Sequence, residues 1–178
     1  MSIDKGTSTT RPAIAAGTYA IDSARSTARF VIKEWWGLRT ARGMVDVTSG
    51  TIVVAVEPSG SVVRATLDAA SFTTGNKRRD KDVTGPNFLD TAAYPLMEFI
   101  SDGLTAADGA WDVHGRLTAH GQTAAVTLRL TGGRQTPGGC AFTATARIDR
   151  SAFGVRRAVG FIDRYLDVTI EVNATAVG

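Results

Sequence analysis

The side chains capable of metal binding or nucleophilic chemistry are few in this chain and lie far apart. His114 and His120 are its two histidines, and Cys140 is its one cysteine. Residues six apart on an extended strand are separated by about 20 Å, so the two histidines cannot share one metal ion. Cys140 lies in a strand-like run without a visible base, which is typical of a small buried residue. We therefore predict no metal site and no cofactor.

Motifs for covalent or cofactor chemistry are missing from the sequence as well. It contains no Gly-x-Ser-x-Gly run and no strand-to-helix glycine fingerprint for a dinucleotide. Glu34 and Glu98 are the carboxylates to consider for chemistry inside a cavity, and both are expected on an outward face or at a rim. The residue types therefore favour a binding protein over an enzyme.

The basic residues do not form a stripe of the kind that binds nucleic acid. The formal net charge is only +3, and the one basic cluster, Lys77, Arg78 and Arg79, is followed at once by Asp80 and Asp82. Arg78 and Arg79 are candidate contacts for an anionic headgroup, because arginine binds phosphate through two parallel hydrogen bonds. The alternative, which we favour from charge patterning, is that Arg79 and Asp80 pair with nearby loops.

Alternation with a period of two residues dominates the chain and predicts an all-β protein. Leu166, Val168 and Ile170 share one face of the last strand, for example. Short turn-like connections predict about eight to ten antiparallel strands, in a sandwich or, preferably, an up-and-down barrel. Helix is expected only within 76–84 and 90–93. Small inward residues favour an internal cavity: Ala28, Gly43, Ala65, Gly115, Ala119, Ala144, Ala146 and Ala174.

The order of several short motifs resembles the YceI-like family of polyisoprenoid-binding proteins. The runs at 17–22 (GTYAID), 42–52, 115–121 (GRLTAHG) and 148–154 (IDRSAFG) follow the family pattern. The most specific match is the irregular segment between the two β-patterned halves, carried by Thr74, Gly75, Asn76, Arg79, Asp80, Asn87, Phe88, Leu89, Asp90, Tyr94 and Pro95. The resemblance covers about residues 17–176.

This resemblance implies an extended, lipocalin-like antiparallel β-barrel with a short helical excursion at about 76–94. It also implies an apolar interior that holds a long isoprenoid chain, such as a prenyl quinone or a polyprenyl diphosphate, in a protein that forms dimers. Phe72, Val83, Phe88, Leu89 and Tyr94 would then plug one barrel end as a lid. The predicted ligand-binding wall consists of Phe30, Ile32, Ile52, Val54, Leu67, Phe88, Phe99, Trp111, Val113, Leu117, Phe142, Leu166 and Val168.

Three functions remain open at this point: a carrier or storage protein for an isoprenoid or other long-chain lipid, an isomerase- or cyclase-like enzyme using the same cavity, and a filled structural barrel. We expect one domain over 17–178 after a disordered tail at 1–16. That tail lacks the apolar core of a signal peptide, so a cytoplasmic location is predicted, without membrane insertion. On a strand, Trp35 and Trp36 would point one inward and one outward, the exposed one available for a dimer or membrane contact.

Overall fold

The computed structural model describes residues 14–158 and 160–178 and confirms the all-β architecture with one short helix. The predicted tail lies mostly outside the described residues. The described residues form nine strands and one α-helix, α1, at Lys77–Thr84. The strands are β1 Gly17–Ile21, β2 Thr27–Glu34, β3 Arg39–Val54, β4 Val62–Thr73, β5 Leu96–Ala107, β6 Ala110–Ala119, β7 Gln122–Thr136, β8 Gly139–Asp149 and β9 Ile162–Ala176.

The sheet closes into a barrel with eight strand positions. Strands β2 to β9 pair antiparallel with their neighbours in chain order, and β9 pairs back onto β2 to complete the ring. Strand β1 pairs with β3 and β9 beyond the point where β2 begins, so β1 and β2 share one position. Closure leaves no open edge along most of the ring, which is how barrels satisfy their backbone hydrogen bonds.

The two barrel ends differ in their connections. The upper end, as we call it, carries the 35–38 turn, the excursion at 74–95 that includes α1, and the 150–161 loop. The lower end carries the 55–61 connection, two tight hairpins and the chain before β1. Ile14 is buried there among the side chains of Tyr19, Ile21 and Ile52.

The helical excursion is close to its predicted extent, but its second part is not helical. Asn76 caps α1 by accepting hydrogen bonds from the backbone N–H groups of Arg78 and Arg79. Beyond Thr84 the chain forms consecutive turns, including 91–93, where the sequence suggested a second short helix. No helix in the described ranges is long and apolar enough to cross a bilayer.

Two inward glycines make room for aromatic rings rather than for a ligand. A Cβ at Gly43 would overlap the Phe30 ring, and one at Gly115 would overlap the Phe99 ring and the Ile100 carbonyl oxygen. Phe30 in turn stacks on Phe72, with ring centroids 4.9 Å apart. Part of the space left by small residues is therefore filled by the barrel itself.

Replacing Gly115 by alanine is expected to lower the free energy of unfolding by about 1–3 kcal/mol, because the new methyl group meets a backbone oxygen that cannot move away. Gly132→Ala is the matched control. A Cβ at Gly132 would meet only Thr143, at 3.8 Å, so its effect should stay within about 0.5 kcal/mol. Urea unfolding of both variants measures the difference, and equal stabilities would contradict the tight packing at Gly115.

Candidate ligand-binding cavity

The barrel encloses an elongated cavity of about 510 Å³ with an almost entirely apolar wall. Its lining runs from Glu34 and Arg79 at the upper end to Ala55 and Pro58 at the lower end. Between them the wall is built from aliphatic and aromatic side chains of β2 to β9. The interior is therefore not filled by its own side chains, which was one of the alternatives left open by the sequence.

Every apolar residue predicted for the wall lies on it. The residues that alternation placed on the inward face of each strand do face the cavity in the structure. Their contact with a ligand remains a prediction. The wall includes Phe30, Ile32, Ile52, Val54, Leu67, Phe88, Phe99, Trp111, Val113, Leu117, Phe142, Leu166 and Val168. Of the predicted lid residues, Phe72, Val83, Phe88 and Leu89 line the cavity, whereas Tyr94 is 39% exposed and packs against the His120 ring.

Several wall residues were missed because β-bulges invert the alternation of a strand. In β5, a bulge between Ser101 and Gly103 brings Leu104 to the wall, where strict alternation from Phe99 would place Gly103. Ser101 stays buried, and its hydroxyl accepts a hydrogen bond from the backbone N–H of Val63. A bulge in β3 between Val47 and Ser49 likewise allows Val47 and Ile52 to share the interior despite their odd spacing.

Glu34, expected at an outward or rim position, lies at the rim, where its side chain lines the upper end of the cavity. Its carboxylate is 3.7 Å from the Arg79 guanidinium, and its side chain is only 16% exposed. Arg79 therefore turns toward the cavity, while Arg78 is exposed and does not line it. Glu98, the other carboxylate considered for chemistry, is exposed on the outside of β5. The ion pair of Glu34 and Arg79 is the polar feature of the mouth.

Asp80 fixes α1 over this mouth. Its carboxylate accepts hydrogen bonds from the Thr74 hydroxyl at 2.7 Å, the Thr74 backbone N–H at 2.8 Å and the Thr73 hydroxyl at 3.0 Å. These hydrogen bonds hold the pKa of Asp80 below its usual value of 3.8, and the bond from the Thr74 hydroxyl has the largest effect. The predicted pairing of Asp80 with a nearby loop is thus found in the structure, with hydroxyl and backbone groups as partners.

Asp80→Asn is expected to loosen the excursion, because a neutral amide cannot accept all three hydrogen bonds. Since the pKa of Asp80 is lowered by folding, its stabilising effect is present above pH 3.8 and is lost as the pH falls through the lowered value. Protection factors for hydrogen exchange across 74–95, corrected for the intrinsic pH dependence of exchange, should fall in the variant, and also in the unmodified protein as the pH drops below 3.8. Asp82→Asn, on the same helix, is the control, and equal acceleration there would contradict the anchoring role of Asp80.

A buried arginine organises the loop beside the mouth. The Arg150 side chain is only 7% exposed and lies against the cavity wall. Its guanidinium donates to the carbonyl oxygens of Val155 and Arg157 at 2.9 Å each. It also donates to those of Asp163 at 2.8 Å and Ile162 at 3.0 Å. Burial lowers the pKa of Arg150, yet the charge is retained because arginine is not deprotonated in proteins.

The two histidines make hydrogen bonds within the fold, and the cysteine is buried. His114 hydrogen-bonds to the hydroxyls of Thr105 and Thr127 on neighbouring strands, and His120 bonds to the Phe153 carbonyl oxygen. Cys140 is 1% exposed, and burial raises the pKa of its thiol to about 11. Across residues 14–158 and 160–178, no three His, Cys, Asp or Glu side chains are close enough to hold a metal ion.

One polar atom of the wall lacks a partner in the described part of the chain. The indole N–H of Trp111 is buried, without a hydrogen-bond acceptor, toward the lower end of the cavity. An unpaired buried donor costs about 1–3 kcal/mol, and a ligand oxygen that reached it would remove that cost. Sequence alternation placed Trp111 on the wall but gave no sign that its N–H would be unpaired.

A comparison with known protein families matches this architecture. The family model for the YceI-like domain matches residues 19–176, which is nearly the whole barrel. The chain belongs to the YceI-like family. The resemblance noted in the sequence motifs is thereby confirmed.

Relatives of this YceI-like chain include a UPF0312 protein of Pseudomonas putida (strain F1), which is 32% identical over 125 residues. That match covers 67% of this chain and 65% of the relative. Protein YceI of Escherichia coli O157:H7 is 31% identical over 121 residues, 65% of this chain and 63% of that protein. The matched region thus spans just under two thirds of these relatives.

Solved structures show that the YceI-like barrel is shared at low sequence identity. Burkholderia cenocepacia BcnA superposes with a TM-score of 0.76 at 24% identity, covering 87% of this chain and 99% of BcnA. A polyisoprenoid-binding domain from Saccharophagus degradans, implicated in plant cell wall breakdown, gives 0.69 at 16% identity, covering 92% and 100%. At these identities the likeness establishes the fold.

Proposed function

We propose that this protein binds one long-chain apolar lipid in its barrel, a polyisoprenoid such as a prenyl quinone or a polyprenyl diphosphate, and acts as its carrier or store. The observation that carries the proposal is the elongated apolar cavity, which has the ion pair of Glu34 and Arg79 at its mouth. The Saccharophagus degradans domain of the same fold, described as polyisoprenoid-binding, supports the choice of ligand class.

The length of the cavity supports a ligand longer than a common fatty acid. Wall residues on β3 extend from Ala41 to Val54. At ~3.3 Å per residue and a strand tilt of ~40°, this stretch covers on the order of 30 Å along the barrel axis. The hydrocarbon core of a bilayer, which holds two acyl chains end to end, is about as thick. By this comparison of lengths, one acyl chain in its bilayer conformation would span about half of the cavity.

The energetics of such a complex rest on burial. Burying ~400 Å² of ligand apolar surface provides about 10 kcal/mol before the costs of ordering the ligand are subtracted. The mouth adds selectivity rather than bulk affinity, because an anionic headgroup would have to compete with Glu34 for the Arg79 guanidinium. A neutral quinone ring would leave that ion pair intact.

We propose further that the protein does no chemistry on its ligand. Two described carboxylates line the cavity, Glu34 and Asp82, and Glu34 is engaged by the Arg79 guanidinium rather than free to act as a general base. The enzyme alternative predicts turnover. Incubating the protein with a prenyl quinone or a polyprenyl diphosphate, then analysing the lipid by mass spectrometry, should return the lipid unchanged, and a rearranged product would favour the isomerase or cyclase hypothesis.

Native mass spectrometry of the freshly purified protein, followed by organic extraction, tests the carrier proposal. A co-purified isoprenoid near one per chain is expected. If no lipid is present and added prenyl quinone and polyprenyl diphosphate both fail to bind, the proposal is wrong. The same spectrum reports whether the predicted homodimer forms. The predicted cytoplasmic location can be tested by fractionating the source cells, and the protein is then expected in the cytoplasmic fraction.

A further inference from the structure

The mouth of the cavity is bordered by a cluster of exposed apolar side chains, which we call the aromatic rim: Trp35, Trp36, Leu38 and Phe161. Their side chains are 48%, 77%, 83% and 51% exposed, respectively. Both indole rings lie 5.8 Å from the Phe161 ring, so the side chains form one surface. Contiguous exposed apolar patches of this kind mark interaction sites on soluble proteins.

The rim is directly connected to the cavity. Trp35 follows Glu34, and Phe161 precedes Ile162, and both of these neighbours line the cavity. The backbone N–H of Trp35 donates to the Phe161 carbonyl oxygen at 2.6 Å, which holds the turn against the loop. An apolar molecule leaving the barrel at this end would therefore pass over the rim.

The backbone conformation of the 35–38 turn is unfavourable for the two tryptophans that occupy it. Trp35 and Trp36 both have positive φ, at 53° and 54°, and the Gly37 N–H donates to the Glu34 carbonyl oxygen. Positive φ is the left-handed region, which Gly and Asn adopt readily and in which bulky residues are strained. Neither indole is inside the barrel, contrary to the expectation that one would point inward. Two large aromatic residues at the strained tip therefore contribute little to the fold.

The surroundings of the rim are basic. Lys33, Arg39, Arg156 and Arg157 are exposed, and none of them forms an ion pair with another described residue. Within 33–42 and 154–162 the sequence has a single acid, Glu34, which pairs with Arg79. Basic residues near an anionic bilayer contribute about 1 kcal/mol each, or roughly fivefold in affinity.

We propose that the aromatic rim is a docking surface for an anionic lipid bilayer, which places the cavity mouth against the membrane. Tryptophan favours the bilayer interface because its ring is apolar and its N–H is polar, and the flanking cations match an anionic surface. The inference rests on the proposed function, since docking lets an apolar ligand pass between bilayer and barrel without crossing water. The cations argue for a bilayer over a second copy of this chain, which presents the same positive charge.

Vesicle flotation tests the proposal with the full chain. The unmodified protein should float with vesicles of phosphatidylcholine and phosphatidylglycerol, and less with phosphatidylcholine alone. The double variant Trp36→Asn/Leu38→Ser should lose about tenfold or more in vesicle affinity, since burying one large apolar side chain is on the order of a tenfold to hundredfold effect. Asparagine tolerates the left-handed backbone at this position, so the turn is kept.

The control is Val56→Ser, which removes a side chain that is 74% exposed at the lower end of the barrel. It should leave vesicle affinity unchanged. Equal flotation of the double variant and the unmodified protein, or no flotation of either, would overturn the proposal. The proposal would also be overturned if sedimentation equilibrium showed a dimer of the unmodified protein and a monomer of the double variant, because the rim would then be a contact between two copies.

Titration of detergent-solubilised prenyl quinone separates this proposal from the carrier function. The double variant should bind the quinone as the unmodified protein does, because its changes lie outside the cavity. If vesicles bind but the quinone does not, the docking surface stands and the carrier function fails. If the quinone binds but vesicles do not, the carrier function stands and the docking surface fails.

Discussion

Ala144→Phe is expected to abolish the binding of a long-chain lipid while the barrel stays folded. Ala144 lies on the wall about halfway along β8, opposite Leu130 and Ile170 on the neighbouring strands. A phenyl ring there would project into the existing cavity and divide it. A ligand that forfeits ~200 Å² of burial loses about 5 kcal/mol, which is on the order of a thousandfold in affinity. The new ring occupies empty space, so stability should change by less than about 1.5 kcal/mol.

The matched control for this experiment is Thr145→Phe, which adds the same ring one residue further along the same strand. Thr145 does not line the cavity, so its substitution should leave the affinity unchanged. Lipid binding is measured by titration with a prenyl quinone, and stability by urea unfolding. Undiminished affinity of a folded Ala144→Phe variant would show that the ligand binds outside the barrel.

Arg150→Met should have the largest effect on stability, lowering the free energy of unfolding by about 3–5 kcal/mol. The substitution keeps an unbranched side chain of similar reach but leaves four carbonyl oxygens of the 155–163 stretch without their charged donor. Because this stretch carries Val155 and Ile162 of the wall, release of a bound lipid should become faster as well. Lysine at this position has one ammonium group and cannot reach all four oxygens, so Arg150→Lys should recover only part of the loss.

Arg116→Met serves as the control for removing an arginine. Its side chain is 61% exposed and makes one ion pair, with Asp102 at 3.3 Å. Exposed ion pairs of this kind contribute about 0–1 kcal/mol, so urea unfolding should show little change. If Arg150→Met were equally mild, the carbonyl oxygens around Arg150 would have to be satisfied by water, and the loop would not depend on this side chain.

Much of the cavity could be predicted from the sequence because a strand with one buried face records that face in every second residue. The alternation of Val168 with its neighbours on β9, and of Val113 on β6, identified wall residues without any knowledge of partner strands. The motifs in the 74–99 segment identified the family. The absence of a signature for covalent or metal chemistry in the residues pointed toward binding.

Other features depended on contacts between residues that are distant in sequence. Leu104 reaches the wall because a bulge shifts β5 against β6, and a bulge is a property of the pair of strands rather than of one strand's pattern. Glu34 continues the inward parity of Phe30 and Ile32 on β2, but its partner Arg79 comes from α1, on the far side of the barrel mouth. The alternation pattern of one strand contains no information about the neighbouring strand that shapes a bulge or about the side chain that pairs with Glu34.

The sequence by itself determined the β-class, the family and the apolar character of the interior. The tertiary structure decided that the interior is open, that Arg150 holds the loop at its mouth, and that both tryptophans of the 35–38 turn face outward. The physical reason is the range of the interactions involved. Alternation is set by the geometry of neighbouring residues, whereas a cavity, a buried hydrogen-bond network and a rim exist only where separate segments meet.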